Sequence, residues 1–177
     1  YECAQLNSFQ CESSVSTVGD SAFYNCSALN LFKGTSTAEV EDYGFTGCGN
    51  LSEFDFSGTK TIGKYAFSRS GIKKANFNVL NKIGKKALAN CSDLVSICYY
   101  GNESDWKTIA KTAKYPTEAA IHYKEDTVEA KDATCTENGW KETGVCDVCG
   151  QHYSDKNNED NILPALGHSY SEEYTVD

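Results

Sequence analysis

The sequence predicts a solenoid of stacked parallel strands and turns over residues 1–124, followed by a small cysteine-rich β unit over residues 125–177. A twelve-residue phrase recurs, and its aliphatic first residues stand at positions 18, 40, 62 and 83. This spacing is typical of a solenoid, because one coil has too few apolar residues to bury a face without its neighbours. The charge balance changes at the boundary, because residues 1–124 carry 13 basic and 12 acidic residues whereas residues 125–177 carry 3 and 13.

The repeated phrase starts with valine or isoleucine and continues as Gly-x-x-Ala-Phe-x-x-Cys-x-x-Leu. Its copies span residues 18–29, 40–51, 62–72 and 83–94, and half a copy, Cys3-x-x-Leu6-x-x-Phe9, precedes them. The phrase resembles the leucine-rich repeat of the BspA-like type, found in large bacterial surface proteins. The resemblance covers about residues 1 to 100. It implies a horseshoe-class α/β solenoid with short helices, used in adhesion by secreted or cell-surface proteins. The half copy predicts that the chain is part of a longer protein.

Each coil is expected to continue from its leucine into a short strand, in which alternate side chains lie on opposite faces. The predicted inward residues are Phe9, Cys11, Phe32, Gly34, Phe54, Phe56, Ala75, Phe77, Ile97 and Tyr99. The outward residues form an exposed sheet face, which repeat proteins commonly use for binding. The candidate contacts to a protein or glycan partner are Leu31, Lys33, Glu53, Asp55, Lys74, Asn76 and Ser96. Alternatively, Glu53 pairs with Lys74 and Lys33 with Asp55, and these charges only stabilise the sheet.

Four cysteines share one repeat position, and a serine takes it in the remaining copy: Cys3, Cys26, Cys48, Cys91 and Ser70. Adjacent coils bring such residues within disulfide range, but side chains that all point inward predict a ladder of buried thiols instead. Cys98 falls in the outward set of its strand and is expected to be an exposed, reactive thiol. The glycines that follow the aliphatic residues, Gly19, Gly63 and Gly84, predict a turn with positive φ.

The period ends before a segment with helical spacing. Residues 104–111 are predicted to form a helix with Ser104 or Asn102 as its N-cap. One face of this helix is apolar and is expected to close the end of the solenoid core: Trp106, Ile109 and Ala110. Residues 119–123 then predict one more short strand.

The C-terminal unit has little apolar sequence, so it needs a covalent or metal staple. A zinc ion is one choice, and the predicted tetrahedral ligands are Cys135, Cys146, Cys149 and His168. His152 is an alternative fourth ligand. A disulfide from Cys135 to Cys146 or Cys149 would serve equally, whereas a redox role for the C-x-x-C pair is disfavoured. His122-Tyr123 followed by Thr127-Val128-Glu129 is echoed by His168-Ser169-Tyr170 followed by Thr175-Val176-Asp177, which predicts that the unit is one of an array.

Composition and motifs also narrow the function. The acidic C-terminal segment argues against nucleic acid as a partner, because phosphate binding needs a positive surface. No apolar run in this sequence reaches the length of a membrane span. The sequence contains no G-x-S-x-G, no H-E-x-x-H and no phosphate-binding glycine loop. We therefore predict a non-catalytic interaction protein. The alternative is a metal- or thiol-dependent enzyme centred on the cysteine-rich unit.

Overall fold

The computed structural model describes residues 2–35, 37–124, 127–129, 132–134, 136–141, 144–145, 152–155 and 162–166. These residues fall into two compact units, the first up to residue 124 and the second from residue 127 onward. The first unit contains the repeats and a short helix. Within the described ranges, no helix has the length and apolar character needed to cross a membrane.

Two kinds of strand alternate along the repeats: a two-residue strand that holds the aliphatic residue, and a longer strand after the turn. The strands of the first unit are β1 (Ser8–Ser14), β2 (Thr17–Val18), β3 (Leu31–Thr35), β4 (Glu39–Val40), β5 (Thr61–Ile62), β6 (Lys74–Phe77), β7 (Lys82–Ile83), β8 (Ser96–Tyr99) and β9 (Ala120–Tyr123). Helix α1 (Glu103–Ile109) lies between β8 and β9 in the chain. Turns, rather than helices, join the strands in the described part of the repeats.

The two-residue strands β2, β4, β5 and β7 pair in parallel, in that order. Their register aligns the four aliphatic residues, which are all buried: Val18, Val40, Ile62 and Ile83. The longer strands form two parallel sheets, β1–β3 and β6–β8–β9. The equal spacing of the repeats therefore produces coils stacked in register, and the predicted solenoid of parallel strands is confirmed.

Between the two kinds of strand, each coil crosses a turn segment whose backbone N–H groups alternate between two kinds of acceptor. In the second copy, Tyr43, Phe45 and Gly47 donate to carbonyls of the next coil, with N–O distances of 2.9, 2.7 and 2.9 Å. The residues between them, Gly44 and Thr46, donate to carbonyls three positions earlier in the same turn. The first and third copies repeat this alternation. Every second amide of the turn segment thus joins one coil to the next.

Positive φ occurs within these turns, but not where it was predicted, because Gly19, Gly63 and Gly84 do not adopt it. In the second copy it falls on Tyr43 and Gly47, which are the first and last of the three donors to the next coil. In the third copy it falls on the equivalent Tyr65 and Arg69. The prediction of positive φ at Gly19, Gly63 and Gly84 is therefore wrong, because residues with side chains adopt it at most of the turn positions.

Glycine at the predicted turn positions serves close packing between coils instead. A Cβ at Gly63 or Gly84 would lie 2.5 Å from a backbone carbon of the preceding coil, which no real contact allows. Glu41 takes the same position in the second copy. Its side chain reaches the preceding coil and accepts a hydrogen bond from the Asp20 N–H at 2.8 Å. The second copy therefore contacts the preceding coil through the Glu41 carboxylate.

Phenylalanine side chains form two columns inside the coils. In the first column Phe23, Phe45 and Phe67 stack, with ring centres 5.1 and 5.2 Å apart and interplanar angles of 4° and 15°. The second column, Phe9, Phe32 and Phe54, also stacks and meets the first edge-on. Each ring therefore contacts the coils before and after it, and the core is shared along the repeats as predicted.

One longer strand is missing from the predicted sheet face. The segment between Leu51 and Phe56 has the expected alternation, because Phe56 is buried and Phe54 packs against the core, but it forms no strand. Asp55 supplies the reason, since its Oδ1 accepts a hydrogen bond from the Ser57 N–H at 2.9 Å. A side chain bonded to the backbone two residues on forms a turn that competes with strand pairing.

A short helix with a buried tryptophan follows the last strand of the repeats. Asn102 is the N-cap of α1, and its Oδ1 accepts a hydrogen bond from the Asp105 N–H at 2.9 Å. Trp106 is buried, stacks on Phe77 at 5.9 Å, and donates from Nε1 to the Tyr115 hydroxyl at 3.1 Å. The predicted strand after the helix is β9, which pairs in parallel with β8.

The described residues of the second unit form short antiparallel pairs. Its strands are β10 (Thr127–Glu129), β11 (Gly139–Trp140), β12 (Gly144–Val145), β13 (His152–Asp155) and β14 (Ile162–Leu163). β13 lies between β10 and β12 in one sheet, and β11 pairs with β14 in another. Antiparallel pairing distinguishes this unit from the parallel repeats.

The shared aromatic core generates a stability prediction. Phe45→Ala should lower the free energy of unfolding by roughly 3 to 5 kcal/mol, because the Phe45 ring is fully buried and contacts rings of both phenylalanine columns. Denaturant titration of the full chain measures this loss. As a control, Val95→Ala should cost less than about 1 kcal/mol, because Val95 is 56% exposed. Equal losses in the two variants would contradict the assignment of Phe45 to the core.

Candidate functional site

A groove of about 390 Å³ lies on the predicted binding face, at the coil that forms no strand. Its lining includes four of the predicted partner contacts: Glu53, Asp55, Lys74 and Asn76. Ser52, Lys73 and two phenylalanines, Phe54 and Phe56, complete it. We call this the sheet-face groove. It combines charges of both signs with aromatic surface at its floor.

The charged residues of the sheet-face groove do not pair as the structural alternative required. Glu53, Asp55 and Lys74 are exposed. The ion pairs that the described residues form with one another are Lys64–Asp42 and Lys107–Glu103, so the expected pairs of Glu53 with Lys74 and of Lys33 with Asp55 are not among them. The Asn76 Oδ1 is buried and has no hydrogen-bond partner among the described residues. Among the described residues, the Asn76 Oδ1 is therefore the groove atom that lacks a hydrogen-bond partner.

The remaining predicted contacts lie apart from this groove. Lys33 is exposed and Leu31 half-buried on β3, which pairs with β1. Ser96 is only 1% exposed, so its prediction as a surface contact is wrong. β8 is flanked by strands on both sides, and the register places Ser96 between Lys74 and Ala120.

The repeat cysteines behave as predicted at three of the four positions. Cys26, Cys48 and Cys91 are free thiols and at most 1% exposed. The Cys48 Sγ donates to the Phe23 carbonyl at 3.0 Å, and the Cys91 Sγ donates to the equivalent Phe67 carbonyl at the same distance. Each thiol thus satisfies a carbonyl of the preceding coil. Burial raises the pKa of Cys48 to about 12, and burial also raises the pKa of Cys91.

Two cysteine predictions are wrong. Cys3 is exposed rather than buried, because it lies in the half copy that precedes the first complete coil. Cys98 is buried rather than exposed. The register places it between Asn76 and His122 on the central strand of a three-stranded sheet. Strand alternation predicts the face on which a residue lies, but it does not predict whether that face is exposed.

The predicted zinc ligands, Cys135, Cys146, Cys149 and His168, lie outside the described residues, as does the side chain of the alternative ligand His152. Among the residues that are described, no group of three or more His, Cys, Asp and Glu side chains is placed to hold a metal ion. The metal prediction therefore rests on the sequence.

A second and larger groove, of about 800 Å³, lies along the turn segments. We call it the turn-face groove. Tyr24, Tyr43 and Tyr65 line it in successive coils, and Lys86 takes the next level. The Tyr43 and Tyr65 rings stack 5.4 Å apart at an angle of 4°, and the Lys86 Nζ lies 5.5 Å from the centre of the Tyr65 ring. The repeat therefore builds a column in which a cation follows two aromatic rings.

The turn-face groove was not predicted from the sequence. Its aromatic and basic residues stand at a variable position within the repeated phrase, which is Ser21, Tyr43, Tyr65 and Lys86 in the four copies. The repeated apolar and glycine residues of the turns describe the core and the backbone rather than the outer surface. The signal that could have found the groove is the recurrence of tyrosine or lysine three residues after the aliphatic residue.

The fold and its grooves define a class of protein, a parallel β-solenoid with open, polar surfaces on the strand and turn sides of its coils. The chain belongs to the BspA type leucine rich repeat family, because the model of that family matches it in six copies over residues 1–109. Leucine-rich repeats are generally protein-interaction modules, and this family is generally non-catalytic and typically surface-associated. Comparison with curated proteins and with solved structures finds no match.

The thiol environments generate a prediction about alkylation. Hydrogen bonds to Ser13 lower the pKa of Cys11, which is part-exposed, whereas Cys48 is buried and its pKa is raised to about 12. The thiolate is the nucleophile, so Cys11 should react at a lower pH than an ordinary thiol, and Cys48 should stay protonated at pH 8. Mass spectrometry after timed iodoacetamide labelling measures both rates. Labelling of Cys48 as fast as Cys11 in the folded chain would contradict the buried ladder.

Proposed function

We propose that the chain is a non-catalytic interaction module of a secreted or cell-surface protein, which binds a protein partner through the sheet-face groove. The observation that carries the proposal is the grouping of Glu53, Asp55, Lys74 and Asn76 around one groove, with aromatic rings at its floor. Mixed charges around an apolar centre are typical of the rim and core of a protein interface. The general role of leucine-rich repeats in protein interaction supports the same conclusion.

The polar groups of the groove support a partner that brings both donors and acceptors. The buried Asn76 Oδ1 has no donor among the described residues, and burying a polar atom without a partner is unfavourable. A rotation of the Asn76 side chain on binding would expose this oxygen to an N–H or O–H of the partner. The carboxylates of Glu53 and Asp55 accept hydrogen bonds, and the lysines beside them donate. Charges at such a rim contribute more to specificity and association rate than to affinity.

Site-specific crosslinking tests this proposal. A photoreactive benzoylphenylalanine placed at Asp55 should yield a discrete adduct when the purified full chain is irradiated with surface proteins released from intact cells. Unlabelled chain should compete for that adduct. The variant Glu53→Lys/Asp55→Lys should compete about tenfold less well, because both charges at the groove are reversed.

The matched control places the same photoreactive residue at Lys60, which is exposed and lies outside the sheet-face groove. We expect no competed adduct from that position. An identical adduct pattern at both positions, or undiminished competition by the charge-reversed variant, would show that binding does not use this groove.

We also propose that Cys135, Cys146, Cys149 and His168 bind a structural zinc ion in the second unit. The support is the Cys-x-x-Cys spacing together with the small apolar content of residues 125–177. A set with four protein ligands is closed to substrate, so this zinc would stabilise the unit rather than catalyse a reaction.

The zinc proposal predicts one zinc ion per full chain, measured by elemental mass spectrometry after exhaustive dialysis. Cys149→Ser should abolish the bound zinc, because it removes one of four ligands, whereas the control Cys11→Ser should retain it. Zinc that survives Cys149→Ser would contradict the ligand set. A metal-free chain whose second unit unfolds only with reductant would favour the disulfide instead.

A further inference from the structure

We propose that the turn-face groove is a binding site for an anionic polysaccharide, one that carries sulfate or carboxylate groups along its length. This surface is separate from the sheet-face groove and would give the module a second ligand. The proposal depends on three observations: the charge of the lining, the length of the groove and the backbone conformation of the residues that line it.

The turn-face groove is a basic region on an acidic chain. Arg69, Lys86 and Lys114 line it, and Glu118 is the one carboxylate among the described lining residues. The whole chain carries a net charge of −9. A neighbouring groove of about 370 Å³ shares Lys114, Tyr115 and Thr117, and it adds Lys107 and Lys111. Lys107 pairs with Glu103, so the cations that extend the basic strip are Arg69, Lys86, Lys114 and Lys111.

The groove is long because it follows the stacking direction. Four successive coils each contribute one residue: Tyr24, Tyr43, Tyr65 and Lys86. The Lys86 N–H donates to the Thr112 carbonyl, so the segment that contains Lys114 forms a fifth level. At a strand spacing of about 4.8 Å, these five levels span roughly 20 Å. Such a length suits a polymer with repeated charges better than a single small anion.

The residues that line the groove hold an unfavourable backbone conformation. Positive φ is found at the following members of the lining: Tyr43 at 58°, Tyr65 at 57°, Arg69 at 59°, Lys86 at 57°, Asn90 at 59° and Lys114 at 55°. Glycine adopts this region without cost, and Gly47 does so at the position equivalent to Arg69. Long basic and aromatic side chains therefore occupy positions where glycine would fold more easily. The turn geometry imposes positive φ in every copy, so the functional sign is the choice of long side chains over glycine along this groove.

The groove suits a polysaccharide better than a peptide. Strand addition needs free backbone donors, but the turn amides at Tyr43, Tyr65 and Arg69 already bond to the next coil. A bound helix needs an aliphatic groove, and the described lining offers phenol hydroxyls, Asn90, Ser92 and Thr117 instead. These groups donate and accept hydrogen bonds, as a hydroxyl-rich ligand requires. The basic strip then selects an acidic sugar chain over a neutral one.

Fluorescence anisotropy with labelled dextrans of one length tests the proposal on the full chain. Dextran sulfate, carboxymethyl-dextran and neutral dextran share a backbone and differ in charge. We expect at least one anionic dextran to bind with an affinity that falls as salt rises, and the stronger of the two identifies the preferred group. Neutral dextran should bind much more weakly.

The variant Arg69→Gly/Lys114→Gly should weaken this binding by about tenfold or more, because it removes two positive charges from the groove. It should unfold at no lower temperature than the wild type, since glycine accepts positive φ freely. The control Lys60→Ser/Lys85→Ser removes the same charge from exposed residues that do not line the turn-face groove, and it should weaken binding by less than about twofold.

Several results would overturn the proposal. These are the absence of binding to both anionic dextrans, equal binding of neutral dextran, or an equal loss in the control variant. Labelled polyglutamate provides the test against a peptide ligand. If polyglutamate binds as tightly as the anionic dextrans and loses as much affinity in Arg69→Gly/Lys114→Gly, the site binds acidic peptides and the polysaccharide assignment is wrong.

Discussion

The structure of the repeats depends on one constraint, the alternation of backbone hydrogen bonds in the turn segments. A buried amide must find an acceptor, and a turn of this length cannot satisfy all of its own donors. Every second N–H, as at Phe23, Phe45 and Phe67, therefore bonds to the next coil. This requirement fixes the separation and register of the coils on the turn side, as strand pairing does on the other sides. A coil cannot slip without breaking several hydrogen bonds together.

The register that the backbone sets also aligns equivalent side chains of successive coils. Equivalent phenylalanines stack at 5.1 and 5.2 Å, close to the coil spacing, so an aromatic ring at one repeat position meets its equivalents above and below. The buried thiols follow the same rule, because Cys48 and Cys91 each donate to the carbonyl of a phenylalanine in the preceding coil. On the outer surface, the repetition turns single side chains into the basic and aromatic column of the turn-face groove. Core and surface thus share one geometric cause.

The sequence predicts the features that recur from coil to coil, but it does not predict features that depend on contacts with neighbouring residues. The aliphatic and aromatic positions of the core and the parallel register follow from spacing and apolar pattern, and both are confirmed. Ser96 and Cys98 are buried although alternation places them on the outward face, because alternation does not predict what packs over that face. Positive φ falls on Tyr43 and Arg69 because the hydrogen-bond alternation requires it there, and no single-residue preference predicts such a choice. The sheet-face groove arises where Asp55 interrupts one strand, a local competition that the repeat pattern hides.

Residue-resolved amide hydrogen exchange of the full chain, followed by nuclear magnetic resonance, tests the central claim most directly. If the turn amides hold the coils together, the N–H groups of Phe23, Phe45 and Phe67 exchange only when the solenoid unfolds, so their protection matches the global free energy of unfolding. In Phe45→Ala, protection should then fall at Phe23 and Phe67 as well, because the three share one cooperative unit. Fast exchange at these amides in the wild type, or a loss confined to the substituted coil, would contradict the account.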